Sequence, residues 1–195
     1  MRIAILGGGH GCYAAAADLA EAGHVVHLWR RDAAALAPLV ASGSIVLKDA
    51  QGAREVPIAG ASTDLGSAVE DAELILIPSP ATAQDDIARA LAPHLVDGQV
   101  VFLPPGTFGS YAMAQAVRRA GSRARVAWAE TGTLPYLARK HGEREVNVTV
   151  RAVRLPTGVY PAADAGRALA VIRGAYPSVH PCGDALSARR SKTPS

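Results

Sequence analysis

The first thirty residues constrain this chain more than any other stretch. A short apolar run, Ile3 to Leu6, leads directly into glycines at 7, 8, 9 and 11, then an alanine-rich segment and a second apolar run, Val25 to Trp29. Strand, glycine turn, helix, strand is the context in which clustered glycines signal dinucleotide binding rather than ordinary punctuation. Gly7 permits the tight turn, and Gly9 lets the backbone approach a pyrophosphate with no Cβ between them. The first amides of the following helix then face the phosphate charge. Gly8, His10, Gly11 and Cys12 complete the segment that this reading sets against the cofactor.

Beyond Trp29 the alternation continues. Asp32 reads as the N-cap of a helix over about 32–41 that Gly43 stops. Ile45 to Leu47 and Glu55 to Ile58 flank Asp49-Ala50-Gln51-Gly52 as a hairpin. A short helix near 64–70 precedes Leu74 to Ile77, whose unbroken apolar character marks a strand buried on both faces. Helices over about 82–92 and 109–120 enclose a strand at 100–103, and a further strand covers 125–129. From 145 to 160 the sequence turns β-rich, and a helix over about 162–174 follows. There are no repeats and no linker. The repeated crossovers predict a doubly wound, mostly parallel Rossmann-type α/β sheet with helices on both faces. One domain is expected over 1–186, followed by a disordered tail at 187–195.

Composition narrows what such a sheet can do. Apolar residues make up 49% and charged residues 19%, enough for a core and too apolar for a disordered chain. The net charge is only +3 and aromatic residues are 5%. The basic stripe with stacking aromatics that a nucleic-acid surface needs is therefore missing. Apolar runs are too short to cross a bilayer, and glycines interrupt the first one too early for a secretory leader. Cys12 and Cys182 have neither metal-site nor disulfide spacing. The expectation is a cytoplasmic protein acting on a small molecule, without nucleic-acid, membrane or metal partners.

Three further concentrations carry chemistry. Arg30 and Arg31 follow the second strand, where folds that bind NAD usually place a carboxylate for the ribose hydroxyls. Arginine forks onto a 2′-phosphate that a carboxylate would repel, so NADP is the expected cofactor and NAD the second candidate. Pro78-Ser79-Pro80 and Pro104-Pro105-Gly106-Thr107 end two apolar strands at the sheet edge where ligands sit. From these, Pro78, Ser79, Pro80, Pro105 and Gly106 are expected at the cofactor. The segment Glu130 to Arg139 reads as a loop packing a carboxylate, hydroxyls, a phenol and a guanidinium into ten residues; Glu130, Thr133 and Arg139 are its expected substrate contacts. The histidines form no constellation. His24 and His27 read as solvent-facing, His94, His141 and His180 as loop residues, and at His10 the backbone matters more than the ring. No general acid for hydride transfer stands out.

Taken together, Ile3 to Gly11, Pro80-Ala81-Thr82-Ala83, Leu103 to Thr107 and Glu130-Thr131-Gly132-Thr133-Leu134-Pro135-Tyr136-Leu137-Ala138-Arg139 resemble the octopine/nopaline (opine) dehydrogenase family. Its cofactor domain is similar to those of 6-phosphogluconate dehydrogenase and ketopantoate reductase. The resemblance spans about residues 1–186. It implies a nicotinamide-binding domain, followed in the family by an α-helical domain carrying the catalytic histidine. It also implies reductive condensation of an amino acid with a 2-oxo acid. Cys12 departs from the fingerprint's usual third glycine or alanine, and Arg30 from its usual acid. Where the helical domain should begin, the chain reads Ala188-Arg189-Arg190-Ser191-Lys192-Thr193-Pro194-Ser195, so that domain is expected to be missing. The apolar face left exposed would favour a homodimer. The alternatives are a stand-alone nucleotide-binding module that senses redox state or pairs with a partner subunit, and a complete reductase of another branch.

Overall fold

Alternating apolar runs and alanine-rich segments build the elements in strict order. They are β1 (Arg2–Leu6), α1 (His10–Glu21), β2 (Val25–Trp29), α2 (Ala33–Ser42), β3 (Ser44–Asp49), β4 (Gly52–Pro57), β5 (Gly60–Ser62), α3 (Leu65–Val69) and β6 (Leu74–Leu76). Then come α4 (Ala81–Leu91), β7 (Val100–Leu103), α5 (Gly109–Arg119), β8 (Ala127–Thr131), β9 (Tyr136–His141), β10 (Glu145–Arg151), β11 (Leu155–Tyr160), α6 (Ala165–Ala175) and β12 (Val179–Pro181). This computed structural model describes residues 1–182. The expected tail at 187–195 and the end of the expected domain lie outside the described residues.

The main sheet has eight strands in the order β12-β11-β8-β7-β6-β1-β2-β5. From β5 to β8 every pairing is parallel, and β11 joins β8 antiparallel. The strand order reverses between β1 and β6, so the crevice of such a sheet opens at their carboxyl ends. Ile3 lies opposite both Val26 and Leu74 in register, all three shielded from solvent. Capping follows the expected chemistry. Asp32 accepts the Ala35 N–H at 3.0 Å, and the Gly43 amide returns to Leu39 O at 2.9 Å.

One face of the sheet is covered as expected, by α3, α4 and α5 around Ile75, Val101 and Leu103. The other face is not simply helical. A second sheet, ordered β4-β3-β10-β9, lies over α1. Its β3–β4 hairpin is the one expected from Asp49 to Gly52. α1 is therefore buried on nearly every side, from Cys12 through Ala17 and at Leu19. Alanine is what lets a helix fit between two sheets, because larger side chains would hold them apart.

Three readings need correction. The strand expected at 125–129 runs instead from Ala127 to Thr131, so Glu130 and Thr131 belong to a buried strand. The following residues are not one loop, since Tyr136–His141 forms β9 of the second sheet. Their alternation of buried and exposed positions has the two-residue period of a half-buried strand. His27 is also half-buried rather than solvent-facing, packed beside Gly60.

Candidate functional site

The glycine turn is fastened at the carboxyl end of β1. Gly7 has φ +130°, a conformation open to glycine, and its N–H donates to Trp29 O at 2.8 Å. A Cβ there would lie within 3 Å of Cys12 Sγ and Ser79 Oγ. Cys12 thus fills the position usually held by a smaller residue without opening the turn. Its thiol lies 3.8 Å from Leu6 O and 3.9 Å from Pro78 O, and burial raises its pKa to about 11. That thiol stays protonated and packs as a small apolar group. Ser79 donates to Leu6 O at 3.2 Å, tying the end of β6 to the end of β1.

Gly8 and Gly9 face different surroundings. A Cβ on Gly8 would come within 2.6 Å of the Arg30 side chain, which lies across the turn. Around Gly9 nothing stands within 4 Å of a Cβ position, so its outer face is open to an approaching group. Gly9 is the N-cap of α1 and supplies no side-chain cap. The amides opening this helix have no intrahelical acceptor, by helix geometry, and carry the positive end of its dipole.

Beside that open face lies a cavity of about 380 Å³. One wall is Gly9, His10, Gly11 and Ala15; Leu76, Pro78, Pro80 and Pro104 contribute the strand ends; the opposite wall runs from Leu134 to Arg139, with Tyr176 completing the lining. The lining is apolar except for Arg139, His10 and the two phenols. The Tyr136 hydroxyl donates to Asp18 Oδ2 at 2.9 Å and lies 3.3 Å from the Tyr176 hydroxyl. Burial raises both phenol pKa values, so both stay protonated at neutral pH. His10 does more than lend its backbone. Its Nδ1 accepts the Lys140 N–H at 2.9 Å, joining the glycine turn to β9 and leaving the ring proton on Nε2 in the neutral form.

The expected site residues separate into those that meet and those that do not. Gly9, His10, Gly11, Pro78, Pro80 and Arg139 share the cavity, while Gly7, Gly8, Cys12, Ser79 and Arg30 form its adjoining turn. Arg31 points elsewhere, exposed and 3.9 Å from Asp86 on α4. Gly106 sits under β8, where its N–H donates to Thr131 O and a Cβ would collide with Glu130. The peptide between Pro104 and Pro105 is cis.

Glu130 is the clearest correction. It is 2% exposed, and its two oxygens accept the N–H groups of Phe108 and Ser110 at 2.8 Å each. A buried carboxylate that accepts from the first turn of a helix holds that turn, and Glu130 is not among the described residues lining the cavity. Thr133 is exposed, bonds to Thr131, and is not among the described residues lining the cavity. Sequence reasoning passed over Tyr176, Ala15 and Lys140, which come from distant elements. No local spacing in the sequence pointed to them.

Residues 3–135 match the family model described as ketopantoate reductase PanE/ApbA. The opine dehydrogenase of Arthrobacter sp. (strain 1C) is 33% identical over 176 residues, covering 89% of this chain and 48% of that protein. Among solved structures, octopine dehydrogenase with NADH and L-arginine superposes with a TM-score of 0.77 at 18% identity, covering 95% of this chain and 49% of that one. Yersinopine dehydrogenase with bound NADP+ gives a TM-score of 0.71 at 17% identity, covering 97% and 49%. At those identities the likeness is one of fold. The chain spans about half the length of these relatives.

Proposed function

The chain belongs to the ketopantoate reductase PanE/ApbA family, and on that premise we propose that it is the nicotinamide-cofactor half of an opine-dehydrogenase-like oxidoreductase. The observation that carries the proposal is the cavity between the open face of Gly9 and the β9 wall bearing Arg139. The pyrophosphate goes to the α1 amides. The nicotinamide, when bound, supplies the hydride. Arg139, the one arginine or lysine side chain lining the cavity among the described residues, meets the carboxylate of a 2-oxo acid or amino acid through charge-assisted hydrogen bonds. Reductive condensation of those two substrates uses an acceptor of this kind beside the ring.

Arg30, laid over the turn at the end of β2, favours NADPH over NADH. Such a contact at a partly exposed site amounts to about 1–3 kcal/mol, or roughly ten- to hundredfold in affinity. The rim of the cavity carries Leu134 and Leu137, each 59% exposed. Hydride transfer needs a proton donor within hydrogen-bond reach. Two of the cavity's polar groups hold the fold together: His10 Nδ1 accepts the Lys140 N–H, and the Tyr136 hydroxyl donates to Asp18. A second surface over the rim is therefore proposed to bring the acid. The chain by itself is expected to bind cofactor and turn over poorly.

Calorimetric titration with NADPH and NADH tests the reading, together with NADPH oxidation in the presence of pyruvate and a panel of amino acids. NADPH should bind the more tightly, and Arg30→Asp should reverse the order. If neither nucleotide binds at millimolar concentration, the proposal is wrong. Turnover at about 1–1000 per second by these residues alone would place a proton donor within them.

A further inference from the structure

On the outer side of the glycine turn, two cations flank a buried hydroxyl. Tyr13, on the first turn of α1, is buried, and the Arg30 guanidinium supports its hydroxyl. The Lys140 ammonium stands 4.5 Å from the centroid of its ring. Arg30 lies across Gly8 of the same turn to which the Lys140 main chain is bonded through His10, and its charge acts on the Tyr13 hydroxyl and on Lys140 alike. Burial and the charge of Arg30 both push the Lys140 ammonium below its usual range, so holding the two cations together is unfavourable as they stand.

What surrounds them only partly answers that cost. Arg30 Nη1 donates to Ala35 O at 3.2 Å, and Nη2 is 3.9 Å from Asp32, whose carboxylate caps α2. Lys140 Nζ donates to Gly142 O at 2.6 Å, and the charge of Glu143 reaches it at longer range. His10 faces Lys140 through Nδ1, which is already an acceptor for the Lys140 N–H. A guanidinium and an ammonium held at the same turn call for an acceptor with several oxygens and negative charge. A phosphate monoester has both.

We infer that Lys140, carried by the second sheet, is a second phosphate-binding cation opposite Arg30 and grips the adenosine 2′-phosphate of the cofactor. The inference rests on the cofactor reading above. It names the 2′-phosphate rather than the pyrophosphate because of place. The pyrophosphate belongs at the open face of Gly9 and the α1 amides, whereas Arg30 follows β2, where the ribose of a dinucleotide lies. The anchoring is rigid, because the main chain of Lys140 is bonded to the glycine turn itself. Cofactor choice is then read by two layers of the fold, β2 from the main sheet and β9 from the second.

The test compares Lys140→Ala, Lys140→Arg and Lys140→Glu with the unmodified chain, titrated with NADPH, NADH, adenosine 2′-monophosphate and adenosine 5′-monophosphate. Lys140→Ala should weaken NADPH and the 2′-monophosphate about tenfold, as a lost charge-assisted bond does, while NADH and the 5′-monophosphate stay within about twofold. Lys140→Arg should restore most of the difference, and Lys140→Glu should enlarge it. Melting curves check the fold, which keeps the main-chain bond to His10 in all three variants. Equal weakening of NADPH and NADH would move Lys140 to the pyrophosphate and overturn the inference. So would unchanged binding of both. Failure of the unmodified chain to bind either dinucleotide would instead remove the cofactor reading, and this inference with it.

Discussion

Two residues of the glycine-and-carboxylate set show why side-chain type alone is a poor guide to role. Gly9 holds φ −80° and ψ 180°, extended backbone that valine also adopts, with open space where a Cβ would go. Gly9→Val should therefore change stability by only about 1 kcal/mol, the loss of a good N-cap, yet weaken NADPH by more than roughly a hundredfold. A melt and a titration on the same sample separate the two effects. Glu130 behaves in the opposite way. Glu130→Gln replaces one acceptor oxygen with an amide donor facing an N–H, so unfolding in urea should show a loss on the order of 2 kcal/mol. Nucleotide affinity in that variant should stay within about threefold. A selective loss of substrate with unchanged stability would return Glu130 to the crevice.

At the scale of elements, α1 and β9 decide the site together. α1 is packed on both sides, and Ala16 within it is fully buried. Ala16→Leu has no space to fill, so it should destabilise the protein by about 1–3 kcal/mol through overpacking, measured by chemical denaturation. β9 is fastened to the same helix at two points, Lys140 N–H to His10 and Tyr136 hydroxyl to Asp18. The cofactor turn and the opposite wall are thus parts of one rigid assembly. Exposed Leu137 and Val150 face each other across β9 and β10, and Leu134 and Val153 are exposed nearby in sequence. No helix among the described residues is long and apolar enough to cross a membrane.

At the scale of the whole molecule, a chain of ion pairs around Asp49 fastens the second sheet to α1, the helix between the two sheets. Arg54 donates to Asp49 and to Glu21 of α1, while Arg151 bridges Asp49 and Asp18. The Arg54 guanidinium, ahead of Arg151 and the Gln51 N–H, holds the Asp49 carboxyl well below the usual carboxylate range. Its stabilisation is complete above the unfolded carboxyl's pKa, about 3.9, and is lost as pH falls toward the folded value. Urea midpoints should accordingly drop between about pH 5 and pH 2. Asp49→Asn should already be less stable at neutral pH and show a shallower drop. Some slope should remain, because Arg54 also lowers Glu21. An equally steep drop in the variant would mean the pairs between the second sheet and α1 do not control acid sensitivity.

The sequence by itself determined the parallel sheet, its glycine turn, the Asp32 cap and the proline-ended strands. Each is written in local spacing: apolar runs, glycine where no side chain fits, an N-cap three residues before the amide it accepts. The arginine that lies over the turn was legible too, because Arg30 follows β2 by one residue. The tertiary structure alone decided which of the polar residues between Glu130 and Lys140 face the crevice. Glu130 turns inward because the amides of Phe108 and Ser110, twenty and more residues earlier, offer it better hydrogen bonds than solvent does. Arg139 and Lys140 reach opposite neighbours because β9 pairs with β10 and lies on α1, and neither pairing leaves a trace in the spacing of residues 130–139. Contacts between segments more than a hundred residues apart are set by which buried faces and charges satisfy one another in space.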